Sequence, residues 1–255
     1  MKEKKPTPPS LFLFGTEVTR GFLNLGTYIT TFPLLQLTPK GDGHPVLVLP
    51  GFLTSDYSTM PLRYFLSSRN YQAKPWELGR NFANHTILEN KLEDLVKKLS
   101  NDYGQKISII GWSAGGLFAR ALGHTLPENI RQIITLGSPF KGVKNKSNLE
   151  LVMKVITGQH PEHADAMILE KSATPPPVPS TAIYTKLDGV VSWETCLDDQ
   201  TDELTENVEV FSSHLGLGFD PMVLVCIADR LAQPESKWQK FSHTTVGKMF
   251  YKTTF

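Results

Sequence analysis

Between residues 11 and 32 the apolar side chains Leu11, Phe14, Val18, Phe22, Leu25, Ile29 and Phe32 recur at three- and four-residue steps, the spacing of one helix face. The opposite side carries Thr16, Arg20, Asn24, Thr27 and Thr31. The pattern predicts an amphipathic helix ended by Pro33, although Gly15, Gly21 and Gly26 weigh against one continuous helix. Residues 1–45 read as an N-terminal arm, expected to pack on the domain's own core, with membrane contact or dimerisation through residues 11–32 as the open alternatives. A spanning helix is disfavoured, since it needs about twenty mostly apolar residues. The start MKEKKPTPPS is charged and proline-rich, and the LFLF run after it is too short for a secretory core, so a cytoplasmic location is expected, with membrane association left open.

From residue 46 the pattern changes. VLVLP at 46–50 is unbroken and apolar, as in a strand buried on both faces. Helical patterning follows at 59–70 and 86–103, the second with Leu88, Leu92, Leu95, Val96 and Leu99 in a stripe and Gly104 as its stop. ISIIGW at 107–112, AGGLFARALGH and RQIITLGSP at 131–139 read as strand, helix and strand, implying a right-handed crossover. Residues 140–180 break the rhythm and read as an inserted helical lid. Strand character returns at TAIYT (181–185) and VEVF (208–211), with a closing helix within 219–232. The expectation is one α/β domain over residues 46–255, with a mostly parallel sheet flanked by helices.

Composition narrows the function. Lys and Arg total 26 against 25 Asp and Glu, a net charge of +1, which disfavours a nucleic-acid partner. Cys196 and Cys226 are the two cysteines, too few for a disulfide framework or a cysteine zinc site, though one bridge between them stays open.

Gly111-Trp112-Ser113-Ala114-Gly115 is a Gly-x-Ser-x-Gly sequence between a predicted strand and a predicted helix, the setting of a nucleophile elbow. Ser113 needs a base to be reactive at neutral pH. Of seven histidines, His214 follows the last predicted strand and precedes the small-residue run LGLG, which singles it out from His44, His85, His124, His160, His163 and His243. An orienting acid is expected between serine and histidine. Asp188, after TAIYT and before Gly189, is best placed, with Asp198, Asp199 and Asp202 as later candidates. The amides of Ala114 and of Phe52 in the PGFL loop are the candidate oxyanion donors.

VLVLPGF, GWSAGG, TLGSPFKG, KLDGVV and SSHLGL occur in this order over residues 46–217. On them the chain resembles α/β-hydrolases of the bacterial lipase and esterase type. The resemblance implies the α/β-hydrolase fold, Ser113 as nucleophile, Asp188 as orienting acid, His214 as base, Phe52 and Ala114 at the oxyanion positions, and no organic cofactor. It implies hydrolysis of carboxylic esters, often acyl-lipid esters. Trp112 and Phe140 stand where the family commonly has histidine. Thioesterase or acyltransferase activity, and a silent hydrolase-like binding protein, are the alternatives. Asp198, Asp199, Asp202 and Glu203 could offer calcium ligands but read better as an acidic solvated loop. His160-Pro-Glu-His163 lacks helical zinc spacing, so no metal is expected.

Overall fold

Val46 and Val48 face one side of strand β1 (Pro45–Leu49), Leu47 and Leu49 the other, and the two pairs belong to two separate apolar cores. That division follows from the two-residue period of a strand. It organises the molecule, a computed structural model that describes residues 6–83, 91–141, 166–199, 201–242 and 251–254. β1 lies between β2 (Gln72–Lys74) and β3 (Ile107–Trp112); β4 (Ile130–Leu136), β5 (Ser180–Tyr184), β6 (Thr205–Glu209) and β7 (Lys252–Thr254) continue the sheet in that order. All pairings are parallel except the antiparallel one between β6 and β7. One core takes Tyr28 from α1 (Leu11–Leu35), Phe65 from α2 (Met60–Ser68) and Ile227 from α6 (Pro221–Leu231). The other takes Val96 from α3 (Glu93–Tyr103), Phe118 from α4 (Ala114–Thr125) and Ile168 from α5 (Ala166–Ala173). The sheet is thus buried on both faces between helical layers, as parallel strands require.

The apolar runs at 46–50, 107–112, 131–139 and 181–185 all form strands. β6 differs from its expected 208–211 and starts at Thr205, because its first residues are polar yet buried and paired. Thr181 Oγ1 donates to Glu206 Oε1 at 2.8 Å, and Asn207 exchanges hydrogen bonds with the Asp198 backbone. β2 and β7, with sequences QAK and KTT, carry little apolar signal as short edge strands. Cys196 and Cys226 are free and buried in different clusters. Of the expected lid, residues 142–165 lie outside the described residues, as do 86–90 of the second expected helix.

α1 departs most from expectation. It is continuous over 25 residues despite its glycines and runs past Pro33 to Leu35. Proline at that point costs only the bond to the carbonyl of Ile29, a residue exposed to water. The helix packs on the core through Tyr28 and Leu35, but its buried positions are Glu17, Gly21, Tyr28 and Leu35, while Leu11, Val18, Phe22 and Ile29 of the predicted apolar stripe face outward. Beneath the amino-terminal half lie loop amides that need acceptors, so the polar side turns inward. At about 37 Å the helix is long enough to cross a bilayer. Composition decides the matter: no described helix is both long and apolar enough to do so.

Candidate active site

β3 ends at Trp112 and α4 begins at Ala114, leaving one residue to make the turn. Ser113 makes it with φ 52° and ψ −122°, a backbone state that costs a non-glycine residue about 1–3 kcal/mol and persists only where surroundings enforce it. They do so here by close approach. A Cβ on Gly115 would lie 2.5 Å from the Leu49 carbonyl oxygen, and one on Gly111 2.5 Å from the Gly115 oxygen. The Ser113 amide donates to the Leu136 carbonyl at 2.8 Å, tying the turn to the next strand.

Asp188 and His214 follow β5 and β6, at the same end of the sheet. His214 Nδ1 stands 2.6 Å from Asp188 Oδ2, and both side chains are buried. Asp188 Oδ1 accepts from the Val190 and Val191 amides at 2.8 Å, which fixes the carboxylate before the histidine meets it. Burial opposes a charged imidazole. The charge and hydrogen bond of Asp188, with the charge of Glu17, outweigh it and hold the His214 pKa above its ordinary 6.5. Trp112 Nε1 donates to the His214 carbonyl at 3.1 Å, linking the elbow to the histidine loop.

Ser113, His214 and Phe52 line a single cavity of about 450 Å³, walled by Phe14, Gly15, Val18, Leu53, Val190 and Leu215, and so mostly apolar. Ser113 and His214 share this wall without a hydrogen bond between them. The loop after β1 is held by Asn81, which is fully buried. Its Nδ2 donates to the Pro50 carbonyl at 2.7 Å, its carbonyl accepts from the Leu53 amide at 2.7 Å, and its amide donates to Thr54 O at 2.9 Å. Among the described residues the amides of Phe52 and Ala114 have no acceptor. A Cβ on Gly51 would lie 3.3 Å from Ser113 Cβ, so this loop presses against the serine.

The other candidates lie elsewhere. Asp198 forms a two-armed pair with Arg120, Asp199 meets Lys141, and Asp202 accepts from Thr205 and the Leu204 amide. His44 is buried at the far end of the sheet, and His124 contacts Thr174. His85, His160, His163 and His243 lie outside the described residues. Sequence reasoning passed over Asn81 and Glu17. For Glu17 a signal existed: it is the one acidic residue in α1, three residues before Arg20.

The mostly parallel sheet, the one-residue elbow at Ser113 and the Asp188–His214 pair beyond later strands define an α/β-hydrolase fold. Within it, the profile described as palmitoyl protein thioesterase matches residues 45–186, more than half of the chain, and the chain belongs to that family. It is 28% identical over 104 residues to the pimeloyl-(acyl-carrier protein) methyl ester esterase of Shewanella woodyi, over 41% of this chain and 40% of that protein. Lipase B of Aspergillus fumigatus superposes with a TM-score of 0.55 at 16% identity, over 77% of this chain and 55% of that one. A monoacylglycerol lipase of Paleococcus ferrophilus gives 0.53 at 15% identity, over 75% and 96%. At these identities the structural likeness is one of fold.

Proposed function

We propose that the protein is a serine hydrolase of carboxylic esters, acting on acyl or lipid esters. The observation that carries this reading is the opening of Ser113 and His214 into one apolar cavity, with Asp188 on the imidazole's far nitrogen. Ser113 Oγ attacks the ester carbonyl while His214 Nε2 takes its proton, and Asp188 steadies the imidazolium. The carbonyl oxygen gathers negative charge against the Phe52 and Ala114 amides. Its collapse expels the alcohol with the proton from His214, and a water activated by the same imidazole releases the acyl group. Family membership favours a second reading, with a thiol as leaving group.

The test is hydrolysis of matched oxygen esters and thioesters of graded acyl length by wild type and Ser113→Ala, with fluorophosphonate labelling. Ser113→Ala is expected to remove turnover and labelling while leaving the fold unchanged. Turnover that survives in clean Ser113→Ala protein removes the serine from this role, and absence of labelling in wild type favours a silent binding protein.

The outward apolar face of α1 supports peripheral contact of the arm with a lipid surface. Phe12 and Phe22 are 77% and 69% exposed, and Val18 on the same helix also lines the cavity. Cosedimentation with neutral phospholipid vesicles should fall about tenfold in the Phe12→Ser/Phe22→Ser double variant, with short-ester turnover retained. Unchanged binding overturns this contact.

A further inference from the structure

Four donors converge on the carboxylate of Glu17, whose side chain is 3% exposed. The Gly189 amide donates to Oε1 at 2.7 Å, Arg20 Nη2 at 2.8 Å and the His214 amide at 3.2 Å, while the Leu215 amide donates to Oε2 at 3.2 Å. Gly189 follows Asp188 directly, so one carboxylate accepts from both loops that hold the acid–imidazole pair. Arg20 extends the clamp, donating through Nη1 to the Leu187 carbonyl and through Nη2 to the Leu13 carbonyl, each at 2.8 Å. The fit is close. A Cβ on Gly189 would lie 2.5 Å from the Leu13 carbonyl, and one on Gly21 3.2 Å from Leu215 Cβ.

A helix that needed only anchorage would be served by apolar contact, as Tyr28 and Leu35 serve it further along. Burying a carboxylate is unfavourable unless its oxygens are well supplied with donors. Here three of the four donors are main-chain amides of the loops that set the geometry of the site, and the charge also lifts the His214 pKa. We propose that Glu17 is a positioning residue for the reaction at Ser113, its carboxylate locking the Asp188 and His214 loops together and placing a second negative charge beside the imidazole. The kinetic consequence rests on the hydrolase reading; the clamp itself does not.

Glu17→Gln keeps the size and removes the charge. In NMR titrations of the full chain, the His214 ring midpoint is expected to fall, because a negative charge that favours the imidazolium has been removed. The amides of Gly189, His214 and Leu215 should exchange faster with solvent. With a short ester, kcat should fall about tenfold with KM little changed, and the acid limb of the pH profile should move with the titration. Glu17→Asp should restore the midpoint while exchange stays fast, because the charge returns but the reach is one methylene shorter. A folded Glu17→Gln protein whose His214 midpoint and three amides match wild type overturns the proposal. If that variant does not fold, Glu17→Asp carries the test, and wild-type exchange at the three amides overturns it. A shifted titration in a protein whose wild type shows no Ser113-dependent turnover removes the hydrolase reading and leaves the clamp standing.

Discussion

His214 stands in a contest that burial alone would decide against its charged form. The carboxylates of Asp188 and Glu17 reverse the outcome, so the proton leaves only above the ordinary value of 6.5. A base must be unprotonated to act, and kcat/KM should therefore rise with pH through a midpoint above 6.5, read from a pH–rate profile with an uncharged ester. In Asp188→Asn burial goes largely unopposed. The midpoint should drop below that of wild type and kcat should fall by about 10⁴ with the fold intact. Stability runs the other way. A pKa raised on folding contributes stability that is complete below the unfolded value and is lost as pH rises through the folded one, so the pH that frees the base also withdraws this contribution.

At the scale of elements, Gly15 of α1 sits at the cavity wall, and a Cβ there would meet nothing within 4 Å. Gly15→Leu should fold well, gaining about 0.8 kcal/mol of helix propensity, seen as a higher Tm. Its side chain should occupy the space left for substrate, raising KM for long acyl esters about tenfold with little change for short ones, a contrast read from a chain-length series. α1 also marks where the sequence stopped being legible. Its helical period is plain in residues 11–32, but which side faces inward depends on loop amides nearly two hundred residues away, and periodicity carries no trace of those. β1, β3 and β4 were legible because burial on both faces leaves long apolar runs. The elbow at Ser113 was legible because two backbones cross there, and only small residues fit. Two of the residues that depart from the pattern of the resembled family have work in this fold. Trp112 holds the histidine loop, and Phe140 lies 3.7 Å beneath the Arg120 guanidinium that pairs with Asp198.

At the scale of the whole molecule, serine, histidine and aspartate stand near one another twice among the described residues. At the amino-terminal ends of the strands, His44 Nε2 lies 2.8 Å from Ser108 Oγ and its Nδ1 2.5 Å from Asp42. That contact is closed, yet Ser108 and His44 are fully buried, and no substrate can reach them. The third charge distinguishes the two sets. Burial depresses the His44 pKa first and Arg131 adds to it, despite Asp42, whereas Glu17 works with Asp188 to lift that of His214. One set braces β1, β3 and β4 around an imidazole biased toward its uncharged form; the other biases its imidazole toward the charged form, beside a cavity. Residue type and contact alone would not separate them, whereas strand end, cavity and the sign of the neighbouring charge do.

The bonds from Glu17 to His214 and Leu215 close sequence separations of 197 and 198 residues. During synthesis α1 leaves the ribosome early, with a greasy side and a lone acid, long before either loop it grips has been made. Contacts this distant along a chain form late. Until translation has passed residue 215 the Glu17 carboxylate is therefore without the loop amides that receive it, and α1 cannot take up its final seat.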